Sequence, residues 1–128
     1  MAILHRRGTI LFVSRVPDQN GVNHKDRHVI LLNDLDAADP LFVGVAVTGT
    51  FAHPLPPTAV SLMWHRQGRS QTGLDKPSVA VCTWIVTATP GDIILKRGSV
   101  PSRDLLTILQ QVQTNLPPQP PPATTSGS

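Results

Sequence analysis

The chain has 128 residues, 40% hydrophobic and only 4% aromatic, with eleven Lys and Arg against eight Asp and Glu for a net charge of +3. That length suits a single domain, since domains commonly run ~100–150 residues, and the lack of any Tyr argues against an aromatic platform for stacking bases. The mild positive charge permits a polyanionic partner through phosphate neutralisation without demanding one.

The single cysteine, Cys82, excludes an intramolecular disulfide and a thiolate zinc knuckle, and it suits a reducing, cytoplasmic compartment. Met1–Arg7 lacks the apolar core of a signal peptide. No apolar stretch approaches the ~18–20 residues that span a bilayer, so the expectation is a soluble protein with no membrane partner.

In chain order, Thr9–Val13 follows the basic cluster His5-Arg6-Arg7-Gly8 and reads as a strand from its β-branched and aromatic content. Pro17 to Gly21 supplies turn residues, and the polar run continues through Asp26 as one long connection. His28–Asn33 and Phe42–Val47 are the next two strands, with Arg27 and His28 opening the first and Thr48 closing the second. Pro54, Pro56 and Pro57 suit a loop or sheet edge. Val60–Trp64 is a short strand, His65–Gly73 a polar loop, and Ser78–Val86 the longest β candidate, ending near a turn at Pro90-Gly91. Ser102 is a suitable N-cap for a helix that carries Leu105, Leu106, Ile108, Leu109 and Val112 on one face and ends near Asn115. The 116–128 segment is rich in Pro, Gln, Thr and Ser and is expected to be a disordered tail. About five short strands and one terminal helix, in a domain spanning 1–115, imply a mainly β, small twisted barrel capped by that helix.

The order of these segments resembles the PemK/MazF family of toxin endoribonucleases, which share an SH3-like barrel. Arg7-Gly8-Thr9-Ile10-Leu11 is similar to the family's opening strand, with Thr9 in place of its acid. Arg27 to Asp34 resembles the family's arginine-led strand ending in Asn-Asp, and Val45 to Gly49 the strand that ends in Thr. Gly73-Leu74-Asp75-Lys76-Pro77-Ser78-Val79 and Gly98-Ser99-Val100 fall in the expected places, and Thr87 stands where the family often has Thr. Two departures stand out: His28 replaces the usual Pro after the arginine, and Trp84 and Val86 occupy positions where the family commonly has Gln and Arg.

The resemblance implies metal-independent cleavage of single-stranded RNA by 2′-hydroxyl attack, in a homodimer held inactive by an antitoxin. It assigns Arg27 to the phosphate, where a planar donor fork suits two oxygens, and gives Thr48 a supporting hydrogen bond. Surface pairing of Arg27 with Asp26 or Asp34 is the plain alternative, and for Thr48 it is ordinary turn chemistry. His24 and His28 flank Arg27 and titrate near neutrality, so either is a candidate acid or base. Lys25, Arg66, Arg69, Asp75, Lys76 and Ser78 are the candidate RNA-binding residues, with Arg6 and Arg7 as further cations on a groove rim. Asp75 is a weaker acid–base candidate, and solvated loops are the ordinary reading of all these charges. Trp64 and Trp84 are read as packing or a dimer seam. No paired Cys or tight carboxylate cluster calls for a metal, and no cofactor is implied. Two other readings stay open: a catalytically silent SH3-like binding module, and a gyrase-directed toxin of the same fold.

Overall fold

A computed structural model of the protein describes residues 3–115, so the expected tail at 116–128 lies outside the described residues. Eight strands and one α-helix succeed one another along this stretch. They are β1 (Ile3–His5), β2 (Thr9–Pro17), β3 (His24–Leu31), β4 (Leu35–Asp36), β5 (Phe42–Thr48), β6 (Ala59–Ser61), β7 (Val79–Ala88), β8 (Ile93–Ser99) and α1 (Ser102–Asn115). β1 and β4 form a two-stranded pair, and the other six strands form one sheet in the order β6-β7-β5-β3-β2-β8. Every neighbouring pair is antiparallel. The architecture is therefore mainly β with one C-terminal helix, as the residue pattern leads one to expect.

The central strands bury both faces, so they read as apolar runs rather than as alternation. Ile10, Ile30, Val45 and Val47 face one cluster, closed by Ile108 and Val112 of α1. Leu11, Val13, Val29, Leu31 and Ala46 face a second, with Phe42, Trp84 and Val86. Cys82 belongs to the first cluster, and burial pushes its thiol up to about 11. At pH 8 the native protein is accordingly expected to leave a thiol reagent such as Ellman's reagent unreacted, with one equivalent consumed only in denaturant.

β8 closes the molecule without pairing to the far edge strand β6. The loop leading from Ser70 to Gly73 bridges the gap instead: Ser99 N–H donates to Gln71 O at 3.0 Å. Gly73, at φ +72°, packs its Cα side directly against the Arg97 carbonyl, and Gly98 packs as closely against Gln71 and Thr72.

Four local expectations need correction, the first being the Val60–Trp64 strand, which is instead Ala59–Ser61. The long connection through Asp26 is shorter, because β3 already begins at His24 and pairs with the far end of β2, Val16 to Lys25 and Pro17 to His24. A β-bulge makes this possible: one extra residue in β2 between Val13 and Val16 shifts the register, and Arg15 takes φ +55°. β8 has no counterpart in the pattern because most of it is exposed. Ser102 is the first residue of the helix, and Pro101 flanks it, its carbonyl accepting from Leu105 N–H at 3.0 Å.

Candidate functional site

β3 and β5 diverge at one end, and the site lies there. Their ladder pairs Leu31 with Gly44, Ile30 with Val45 and Val29 with Ala46, then stops. Two further residues along that register set Arg27 opposite Thr48 on a shared face. Both line a concavity of about 490 Å³, together with Phe12, Lys25, Asp26, His28, Val47, Gly49, Thr50, Lys76, Ser78 and Trp84. Six of the ten site candidates, Arg27, Thr48, His28, Lys25, Lys76 and Ser78, therefore meet in one place.

The others do not. His24 is exposed at the start of β3 and is absent from the lining, because its strand pairing carries it past the concavity to Pro17. Arg66 and Arg69 are exposed in the loop after β6, also outside it. Asp75 lies outside the lining but close enough to act electrostatically on His28. Arg6 and Arg7 line a separate, larger concavity of about 590 Å³ against Leu105, Leu106 and Leu109 of α1. Size is no guide here, since that space gathers no acid–base group beyond Asp34 and none of the strand-end cluster.

Arg27 is not paired with Asp26 or Asp34. Those carboxylates accept backbone N–H groups, Asp26 from Arg15 at 3.2 Å and Asp34 from Arg7 at 2.8 Å. Instead Arg27 Nη2 donates to Asp18 Oδ1 at 2.8 Å, with the two side chains 13% and 28% exposed. The guanidinium carbon lies 4.6 Å from the centre of the Trp84 ring, within cation–π range. Arg27 Nε is buried and has no hydrogen-bond partner. Trp84 thus fills a position where the sequence departs from the resembled pattern, and its packing role is realised in part against the arginine itself.

Thr48 makes a local turn. Its Oγ1 accepts from Thr50 N–H at 3.1 Å and donates to Thr50 O at 3.2 Å. Releasing the second, long bond by rotating the hydroxyl frees the proton for another acceptor while the first bond keeps the oxygen in place. Ser78 donates to Lys76 O at 3.0 Å, which fixes the chain between the two.

His28 projects beside Phe12, with ring centroids 4.9 Å apart. Arg97 Nε–H donates to His28 Nε2 at 3.3 Å, so Nε2 is the acceptor nitrogen and the proton resides on Nδ1. Burial lowers the His28 pKa, Arg97 lowers it further, Asp75 raises it, and Lys76 lowers it. The net direction is down from 6.5, so the imidazole is neutral at pH 7. A lowered folded value means that the unfolded chain binds the proton more tightly. The stability this site contributes is then complete above 6.5 and declines as pH falls from 6.5 through the folded value. An imidazole C–H titration followed by NMR is expected to place His28 below free histidine, Arg97→Ala to move it up, and Asp75→Asn to move it further down.

Sequence reasoning did not find Asp18, Trp84 or Arg97 as members of this site. Asp18 sits among turn residues, Trp84 in an apolar run, and Arg97 on the strand that the pattern does not show. Among the described residues, no three His, Cys, Asp or Glu side chains gather closely enough to hold a metal ion, and no helix is long and apolar enough to cross a membrane.

Solved structures supply the likeness that sequence comparison does not. No family model matches the chain, and no curated protein matches it. A MazF structure from Deinococcus radiodurans superposes with a TM-score of 0.65 at 12% identity, covering 89% of this chain and 96% of that one. The fold is that of the MazF toxins. An endoribonuclease from a mycobacterial species, solved in complex with its cognate antitoxin, gives 0.63 at 16% identity over 90% and 98% of the two chains. The Mycobacterium tuberculosis toxin MazF-mt6 gives 0.59 at 15% over 83% and 93%. At these identities the likeness is one of fold, and it spans nearly the whole length of each of these three chains.

Proposed function

We propose that the protein is a metal-independent endoribonuclease of the toxin–antitoxin kind, cleaving single-stranded RNA at the concavity between β3 and β5. The observation that carries this reading is the meeting of Arg27 and Thr48 in one hollow, with Lys25 and Lys76 beside them. Arg27 and Thr48 donate to the non-bridging phosphate oxygens as charge accumulates on the phosphorane. The neutral His28 takes the proton from the 2′-hydroxyl through Nε2 once the long bond from Arg97 is exchanged. The 2′-oxygen bonds to phosphorus, the bond to the 5′-oxygen breaks, and that oxygen leaves with a proton drawn from solvent at the open mouth. The products are a 2′,3′-cyclic phosphate and a 5′-hydroxyl. His24, Arg66 and Arg69 drop out of this scheme. Lys25, Lys76 and Ser78 remain in it as contacts to the strand.

The likeness to an endoribonuclease solved in complex with its cognate antitoxin supports an antitoxin partner, and the family resemblance of the sequence implies a cytoplasmic homodimer. Incubation of the purified protein with single-stranded RNA in EDTA is the direct test. Cleavage is expected, and a single 2′-deoxy substitution at the scissile nucleotide is expected to abolish it at that position. RNA left intact under these conditions sinks the enzyme reading.

One observation favours a second reading. Arg27 is already paired with Asp18 and covered by Trp84, which would take the guanidinium out of catalysis and leave Lys25 and Lys76 to hold a strand without turnover. Binding of RNA with no cleavage, unchanged by Arg27→Ala, selects it.

A further inference from the structure

Arg27 is occupied by a group of the chain's own. Its partner Asp18 follows the last residue of β2, and the loop from Asp18 to Asn23 closes on itself, Asp18 N–H donating to Asn23 O at 2.7 Å and Gly21 N–H to Asp18 O at 2.8 Å. Trp84 Nε1–H donates to Pro17 O at 3.1 Å, so the loop is fastened to the concavity at two adjacent residues. The bulge at Arg15 is what aims the end of β2 at this place.

A carboxylate and a phosphodiester are the same kind of ligand for a guanidinium, each offering a pair of oxygens that share one negative charge. Asp18 uses only one oxygen on Nη2 and leaves the adjacent Nε without an acceptor. A phosphodiester placed along the Nη2–Nε edge satisfies both N–H groups, while the displaced Asp18, already 28% exposed, returns to water. The exchange therefore repairs a buried unpaired donor instead of creating one.

Resting on the ribonuclease reading above, we propose that Asp18 is an internal stand-in for the substrate phosphate, and that the Pro17–Asn23 segment is a latch which a phosphodiester must displace from Arg27 and Trp84. The latch makes the site selective. A lone phosphate must outcompete a tethered carboxylate, whereas a strand bearing several phosphates gains Lys25 and Lys76 as well.

The test uses the full chain with Trp64→Phe as background, so that Trp84 gives the one indole N–H signal. Asp18→Asn keeps an acceptor for Nη2 but removes the charge, and Asp18→Ala removes both; the loop's backbone bonds survive either change. Both variants are expected to bind an all-2′-deoxy single-stranded oligonucleotide about tenfold more tightly by fluorescence anisotropy. Their free Trp84 indole resonance is expected where the parent reaches it only with oligonucleotide bound. Unchanged or weaker binding by folded variants overturns the latch, because it makes Asp18 an orienting partner of Arg27 or a bystander. Inorganic phosphate separates the latch from the RNA reading. If single-stranded RNA is left intact in EDTA and no form binds the oligonucleotide, yet phosphate moves the indole signal at about tenfold lower concentration in Asp18→Asn, the latch stands and the RNA reading falls. If phosphate moves it in neither protein, the latch falls too.

Discussion

Arg27→Ala is expected to reduce cleavage of single-stranded RNA in EDTA by about 100–1000-fold, the usual loss when a donor to a developing oxyanion is removed. The guanidinium is the cation held deepest in the concavity, between the Trp84 ring and Asp18. Lys25, two residues before Arg27 on β3, and Lys76, from the segment ahead of β7, line the same space as point charges and cannot reproduce its two-pronged geometry. Arg27→Lys is expected to keep the charge and recover only part of the rate. The fold is expected to survive both changes, since Asp18 can hydrate once unpaired and Val29 to Leu31 anchor the strand independently. Single-turnover kinetics with a thermal melt on each variant read both quantities. A variant that melts normally and cleaves at the parental rate removes Arg27 from the mechanism.

Gly73→Ala is expected to destabilise the protein by about 3 kcal/mol or more, the sum of a left-handed backbone for an L side chain and a steric overlap. At φ +72° an alanine is already strained, and its Cβ would run into the Arg97 carbonyl, which is backbone and has no rotamer to change. For a domain of this size the loss corresponds to a fall in thermal midpoint of about 10 °C or more. The change also moves Arg97, so the His28 titration is expected to shift up in whatever fraction remains folded. A melt within a few degrees of the parent contradicts the close approach at this seam. Gly21→Ala is the natural comparison, because Gly21 has a similar φ of +73° but nothing near its Cβ position. The difference between the two variants isolates the overlap from the backbone strain.

The strands that carry both buried faces were legible in the residues, because runs such as Val29–Leu31 and Val45–Val47 have no other plausible burial. β8 was not legible, since Ile94, Leu95, Lys96 and Arg97 are all exposed and show neither alternation nor a continuous apolar run. The start of β3 was hidden for a different reason. His24-Lys25-Asp26 looks like a loop, and only the bulge in β2 brings a partner strand alongside it. The pairing of Arg27 with Thr48 was legible as polar groups at the ends of two apolar runs and was reinforced by the order of motifs in the resembled family, and the strand register now supplies its geometric cause. Asp18 was beyond reach because its pairing depends on a left-handed Arg15 that no composition signals. His28, the departure from the usual Pro, was visible as an oddity, but its neutral state depends on Arg97 from the unseen strand.

The position of β2 between β3 and β8 has a consequence for how the protein is made. Thr9 lies opposite Ser99, so the first long strand waits for a partner that emerges near the end of the described chain. Contacts so distant in sequence carry a large loop-closure entropy and slow the search for the native sheet. During synthesis the growing chain exposes one edge of β2 until residue 99 has left the ribosome, and a chain arrested earlier lacks both the seam at Gly73 and the Arg97 that fixes His28. Completion of the sheet and completion of the site are thus the same late event.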